Sequence, residues 1–136
     1  MINNSINRLH SVFFYGLYMD PTILQQCKVE PRAAKIASAK GYQLRIGHKA
    51  TLLRKPDAVA HGIVYSLTHA EINALYQGAG LTEYVAEAIL VESNGETFAA
   101  LCCNLLSPPA EDESSPEYTQ KLITTMIKLD VPVTFA

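Results

Sequence analysis

Residues 84–104 read Tyr84-Val85-Ala86-Glu87-Ala88-Ile89-Leu90-Val91-Glu92-Ser93-Asn94-Gly95-Glu96-Thr97-Phe98-Ala99-Ala100-Leu101-Cys102-Cys103-Asn104. Two β-prone runs flank Asn94-Gly95, a pair that accepts positive φ at both central positions of a type I′ turn. A two-residue turn there sets the whole register. Ser93 falls opposite Glu96, Val91 opposite Phe98, Ile89 opposite Ala100 and Glu87 opposite Cys102. Side chains alternate along a strand, so Val85, Ile89, Val91 and Phe98 share one face and Ala86, Ala88, Leu90 and Leu101 the other. Both faces are largely apolar. The expectation is a hairpin covered on both sides, in an α/β protein of mixed α+β type: a small mixed β-barrel or curved sheet with helices around it.

Upstream, Ser11-Val12-Phe13-Phe14-Tyr15-Gly16-Leu17-Tyr18-Met19-Asp20-Pro21 is an aromatic β-like run that stops at a glycine. A strand is expected over about 11–15, then a short helix with Asp20 as N-cap and Pro21 at its first position. Gly16 can take positive φ or let another group approach the backbone. N–H groups just past it would suit an anionic or carbonyl oxygen. Residues 15–19 are therefore a candidate binding loop.

Between these segments, 42–47 alternates as a strand, 51–53 continues the sheet after a turn at Gly47-His48, and Ala60 to Leu67 forms another strand. Thr68 and Glu71 make a capping box for a helix with an Ile72, Leu75, Tyr76 stripe, which Gly78 and Gly80 can end. Residues 107–116 read as a solvated Pro/Ser/acid loop. A last helix begins at Ser115-Pro116, with Tyr118, Leu122, Met126 and Leu129 at core spacing. The 136 residues fit one domain, with 1–10 as an N-terminal extension.

Composition excludes several classes. Apolar residues make up 49% and charged residues 18%, so the chain is globular. A net charge of -2 gives no strong pull toward nucleic acid or anionic membrane. The start lacks the apolar core of a secretory signal, and no apolar stretch approaches the roughly 20 residues of a membrane span. Cys27, Cys102 and Cys103 read as free thiols of a reducing compartment, so a cytoplasmic location is expected. His10, His48, His61 and His69 show no metal-ligand spacing. Eight of the 11 Lys and Arg lie between Lys28 and Lys55, with Glu30 the only acid there. That segment, 28–55, keeps an anion- or RNA-binding module open as an alternative, although it has few interleaved aromatics.

Taken together, these motifs resemble the gamma-glutamylcyclotransferase-like superfamily. Phe14-Tyr15-Gly16-Leu17-Tyr18-Met19 resembles its Tyr-Gly-Ser-x-Leu loop. Gly62 to Thr68 resembles its Gly-x-x-Tyr-x-Leu-Thr strand. Leu75 to Leu81 with Tyr84 resembles its Leu-Asp-x-x-Glu-Gly stretch and the following Tyr. Tyr118, Leu122 and Asp130-Val131-Pro132 resemble its final helix and exit. The resemblance implies a small mixed barrel, a gamma-glutamyl amide cleaved with release of 5-oxoproline, no metal or organic cofactor, and one Glu that moves protons between amine and leaving nitrogen.

Three positions depart from that pattern, the mildest being Met19, which stands where Leu is usual. Leu17 stands where Ser is usual, and Ala79 stands where the resemblance places the Glu. A methyl group cannot exchange a proton. The expected function is binding of a small gamma-glutamyl or amino-acid-like ligand at Tyr15, Gly16, Leu17, Tyr18, Met19, Ala79, Tyr84 and Tyr118. The alternative is an active cyclotransferase in which Glu83 or Glu87 substitutes for the missing acid. Expected partners are this small-molecule ligand and, as an option, a second copy of the chain. No membrane or nucleic-acid partner is expected.

Overall fold

The structure, a computed structural model, describes residues 5, 7–78 and 83–135. In chain order it contains β1 (Leu9–Phe14), a 3-10 turn (Leu17–Met19), α1 (Pro21–Gln26), β2 (Arg32–Ile46), β3 (Ala50–Thr68), α2 (His69–Gly78), β4 (Tyr84–Ser93), β5 (Glu96–Leu105) and α3 (Pro116–Lys128). The strands close a barrel in the order β1-β3-β2-β4-β5. Neighbours run antiparallel except at the closing seam, where β1 lies parallel to β5 with Val12 opposite Leu101. The barrel is therefore mixed, as expected.

The β4–β5 hairpin has the expected register. Ser93 pairs with Glu96, Val91 with Phe98, Ile89 with Ala100 and Glu87 with Cys102. Asn94 and Gly95 both have positive φ, 52° and 81°, as a type I′ turn demands. Its coverage differs from the expectation. Ile89, Val91, Ala100 and Cys102 are buried in the barrel interior. On the outer side Ala86 and Ala88 are exposed, and Leu90 is 65% exposed.

The helices cover β1 and β3 instead. Val12, Phe14, Ile63, Tyr65 and Leu67 pack with Leu24, Leu75, Leu122 and Met126. Phe13, Tyr15 and Val64 face the interior cluster. β1 and the Ala60–Leu67 part of β3 are thus buried on both faces, and the aromatic run of β1 fills both layers. Connectivity gives the reason. Short links fold α1 and α2 back onto the strands they follow, while the two-residue β4–β5 turn brings no helix with it.

Strands expected as separate pieces are continuous. β2 is 15 residues long and β3 is 19. Their register jumps from Lys40 opposite Val59 to Tyr42 opposite Arg54. Gly41 (φ 84°) and Asp57 (φ 70°) take left-handed backbone at this bulge. Such a bulge bends a ladder without ending it. Lys55-Pro56-Asp57 therefore reads locally as a break when it is an insertion.

Residues 107–116 are more than a solvated connector. Pro109 is buried. The Arg45 guanidinium donates to the Pro109 carbonyl at 3.2 Å, and the His48 N–H donates to Glu113 Oε2 at 2.8 Å. A β-carbon on Gly47 would collide with Pro109 and Glu113. The loop thus latches onto the β2–β3 turn and holds it in place. Among the described residues no helix is long and apolar enough to cross a membrane.

Candidate functional site

The chain leaves the sheet at Tyr15-Gly16. Gly16 has φ -117° and ψ -156°, an extended conformation open to any residue. Of the two uses open to Gly16, positive φ and close approach, it does not take the first. Gly16 matters for space, because a β-carbon there would lie 2.5 Å from the Tyr118 hydroxyl. A 3-10 turn follows, with the Met19 and Asp20 N–H groups bonding back to Gly16 and Leu17. The Leu17 N–H donates to Tyr118 Oη at 3.4 Å. Asp20 then caps α1 by accepting the Thr22 N–H at 2.9 Å, with Pro21 next to it as expected.

This loop borders a cavity of about 260 Å³. Tyr15, Gly16, Leu17 and Tyr18 line one side. α2 adds Tyr76, β4 adds Tyr84, β5 adds Cys103 and α3 adds Tyr118. The latched turn adds His48, Lys49 and Ala50. Among the described residues, no Asp or Glu side chain lines it.

Five tyrosines dominate the wall. Tyr15 donates to the Cys103 carbonyl at 2.7 Å and to the Ala50 carbonyl at 3.3 Å. Tyr84 donates to the same Ala50 carbonyl at 2.6 Å. The Tyr18 and Tyr76 rings meet edge to face, 6.1 Å apart, and Tyr76 lies 6.0 Å from Tyr84. Burial raises the pKa of Tyr15, Tyr18, Tyr76, Tyr84 and Tyr118. All five remain neutral phenols at physiological pH and offer ring faces for stacking, while the Tyr15 and Tyr84 protons are already given to backbone carbonyls. Burial also pushes the Cys102 and Cys103 thiols up, so neither is a ready nucleophile. The site can bind and orient an amide or an apolar stem. Its described lining holds no carboxylate to carry a proton.

The expected site residues divide as follows. Tyr15, Gly16, Leu17, Tyr18, Tyr84 and Tyr118 come together around the cavity. Met19 does not: its side chain is fully buried in the helix-side core, and its carbonyl accepts the Tyr65 hydroxyl at 2.7 Å. Ala79 lies outside the described residues. The Glu83 carboxylate forms an ion pair with Lys49. Glu87 accepts from Asn104 Nδ2 at 2.7 Å and does not line the cavity.

Sequence reasoning missed Tyr76, which it placed in an apolar helix stripe, and missed His48 to Ala50 and Cys103 entirely. Tyr76 lies within the Leu75-to-Leu81 stretch of the resemblance, which was a usable signal. Nothing local marks residues 48–50.

Within the basic segment, Arg32 pairs with Glu30 and Glu71, Lys40 with Glu92, and Lys49 with Glu83. Lys35 lies 5.1 Å from the centre of the Phe98 ring, and Arg45 bonds Pro109. These internal partners leave less of the segment for an external polyanion. Among the described residues no group of three or more His, Cys, Asp or Glu could hold a metal ion.

A family model described as "Gamma-glutamyl cyclotransferase, AIG2-like" matches residues 12–121. No curated protein sequence matches the chain. Solved structures share the fold. YkqA from Bacillus subtilis superposes with a TM-score of 0.67 at 24% identity, over 88% of this chain and 54% of that one. The chain thus spans about half the length of YkqA. A gamma-glutamyl cyclotransferase superposes with a TM-score of 0.76 at 15% identity, over 92% of this chain and 82% of that one. A yeast gamma-glutamyl cyclotransferase specific to glutathione gives 0.61 at 14% identity, over 93% and 89%.

Proposed function

We infer that this chain, which belongs to the gamma-glutamyl cyclotransferase, AIG2-like family, binds a small gamma-glutamyl or amino-acid-like ligand in the tyrosine-walled cavity beside residues 15–18. One observation carries the reading: the candidate binding loop borders a cavity whose described lining contains no carboxylate. The loop and the phenols suit recognition. The family's proton transfer needs an acid, and the matching position is Ala79. Binding without the family's turnover follows.

The test is incubation with gamma-glutamyl amides, measuring both binding and released 5-oxoproline. Saturable binding without 5-oxoproline is expected. Ala79→Glu is expected to produce turnover, since it returns a carboxylate to the matching position. Robust 5-oxoproline release by the unmodified chain overturns the reading.

The competing reading, an active cyclotransferase with a relocated acid, draws on Glu83, which lies next to the cavity through its ion pair with Lys49. Turnover lost in Glu83→Gln or Glu87→Gln would favour it.

A further inference from the structure

Lys49 is the one Lys or Arg among the described residues of the cavity wall. It comes from the β2–β3 turn, between the exposed His48 and the buried Ala50, and is itself only half-buried where Tyr15 and Ala50 on the same wall are buried. Its side chain is 35% exposed and its partner Glu83 is 67% exposed. The rest of the described wall is aromatic, aliphatic or thiol, with the Gly16 backbone and the His48 imidazole. A ligand seated against the tyrosines would therefore meet one fixed cation at the outer end, already holding a carboxylate that belongs to the protein.

An ion pair this exposed contributes little to folding. It exchanges readily for another carboxylate presented at the same ammonium. The turn carrying Lys49 is also held independently of Glu83, through His48 N–H to Glu113 and Arg45 to Pro109. Breaking the Lys49–Glu83 pair therefore does not release the turn.

We propose that Lys49 is a specificity-determining residue that receives a carboxylate on the outer end of the ligand, and that Glu83 is the internal stand-in which that carboxylate displaces. The inference rests on the cavity being the ligand site, as set out above. It adds a selection rule: a ligand whose outer end carries a carboxylate is preferred over the same ligand without one.

The test uses the full chain, isothermal titration and two probes. Gamma-L-glutamyl-L-alanine carries the outer carboxylate, and gamma-L-glutamyl-ethylamide lacks it. The unmodified protein is expected to favour the first by about tenfold, the scale of one charge-assisted contact. Lys49→Met is expected to bring that ratio to about one. Glu83→Gln is expected to raise it several-fold, because the competing carboxylate is gone.

The opposite signs separate this role from a structural one, in which both substitutions would act in the same direction. An unmodified protein that binds both probes equally overturns this inference alone. So does a Glu83→Gln variant whose ratio falls. Binding of neither probe overturns the functional reading together with the inference. A thermal melt of each variant confirms that it is folded before its ratio is read.

Discussion

The Tyr118 hydroxyl occupies the space where a β-carbon on Gly16 would project, 2.5 Å from it, and accepts the Leu17 N–H at 3.4 Å. Residues about a hundred positions apart thus close one corner of the cavity. The relationship is steric first and hydrogen-bonded second, since a 3.4 Å bond is long.

Gly16→Ala forces Tyr118 aside and is expected to cost about 1–3 kcal/mol, the usual range for overpacking. Tyr118→Phe removes only the weak bond, at about 0.5–1 kcal/mol. With the hydroxyl gone, the next ring atom sits 3.9 Å from the new β-carbon, an ordinary contact. The double variant is therefore expected to be more stable than Gly16→Ala alone. Urea unfolding of all four proteins gives the coupling; additive losses would show that the two residues do not meet.

Gly62 presents a harder case. A β-carbon there would run into the Phe14 carbonyl oxygen, with the Phe14 carbonyl carbon at 3.0 Å. The obstacle is backbone of the neighbouring strand and cannot rotate away. Gly62→Ala is expected to cost about 2–4 kcal/mol and to lower the urea midpoint without changing the fold. A loss below about 0.5 kcal/mol would mean that β1 and β3 are further apart at this point.

Glu71 makes stability depend on acid pH. Burial acts to raise its pKa, but bonds from the Arg32 guanidinium, the Glu30 and Thr68 N–H groups and the Thr68 hydroxyl outweigh that and hold it at about 2. Its ordinary value is 4.5. As pH falls the unfolded chain takes up the proton first, so the unfolded state binds more protons and stability drops. The contribution is complete above pH 4.5 and is lost progressively down to about 2. The expected loss is on the order of 1–2 kcal/mol after allowance for solvent screening. Glu71→Gln should be less stable at pH 7 and should flatten the acid limb. An unchanged limb in urea midpoints from pH 5 to 2 counts against the assignment.

Asn104 is a buried hub. Its Nδ2 donates to Glu87 at 2.7 Å, and its Oδ1 accepts the Leu52 N–H at 3.1 Å. Thr51 donates to the same Oδ1 at 3.4 Å and accepts the Leu105 N–H at 3.0 Å. This ties the end of β5 to the β3 segment that begins at Ala50, whose carbonyl receives both Tyr15 and Tyr84. Asn104→Leu strands the Leu52 N–H and the Glu87 carboxylate, at an expected cost of about 2–3 kcal/mol. Glu87→Gln keeps an acceptor oxygen and is expected to cost less than about 1 kcal/mol. The reverse order in chemical denaturation would remove Asn104 from the centre of the network.

Much of this was readable from neighbouring residues. Asn94-Gly95 set a register that holds through four named pairs, because a two-residue turn leaves no freedom to slip. Thr68 and Glu71 form the expected reciprocal cap, at 2.8 and 3.1 Å. Leu122 and Met126, four apart, are buried together as the helical spacing implied. Cys102 and Cys103, neighbours in β5, lie on opposite faces as strand alternation requires, but only the structure shows Cys102 in the barrel interior and Cys103 against the cavity. Where local reading failed, a long-range partner was at work. β3 is expected as two pieces, 51–53 and Ala60 to Leu67, because its continuity depends on pairing with β2 across a bulge. The 107–116 loop looked solvated because its partners lie some 65 positions earlier.

The sequence by itself determined the turn register, the helix caps, which residues of the β4–β5 hairpin share a face, and the loop at Tyr15-Gly16. Each of these follows from covalent geometry and from contacts a few residues apart. Only the tertiary structure decided which strands the helices cover, that Met19 turns into the core, and that His48, Lys49 and Ala50 join five tyrosines around one cavity. Those choices depend on barrel closure through the parallel β1–β5 seam and on the latch over the β2–β3 turn. Both bring together groups too far apart in the chain for any local periodicity to encode.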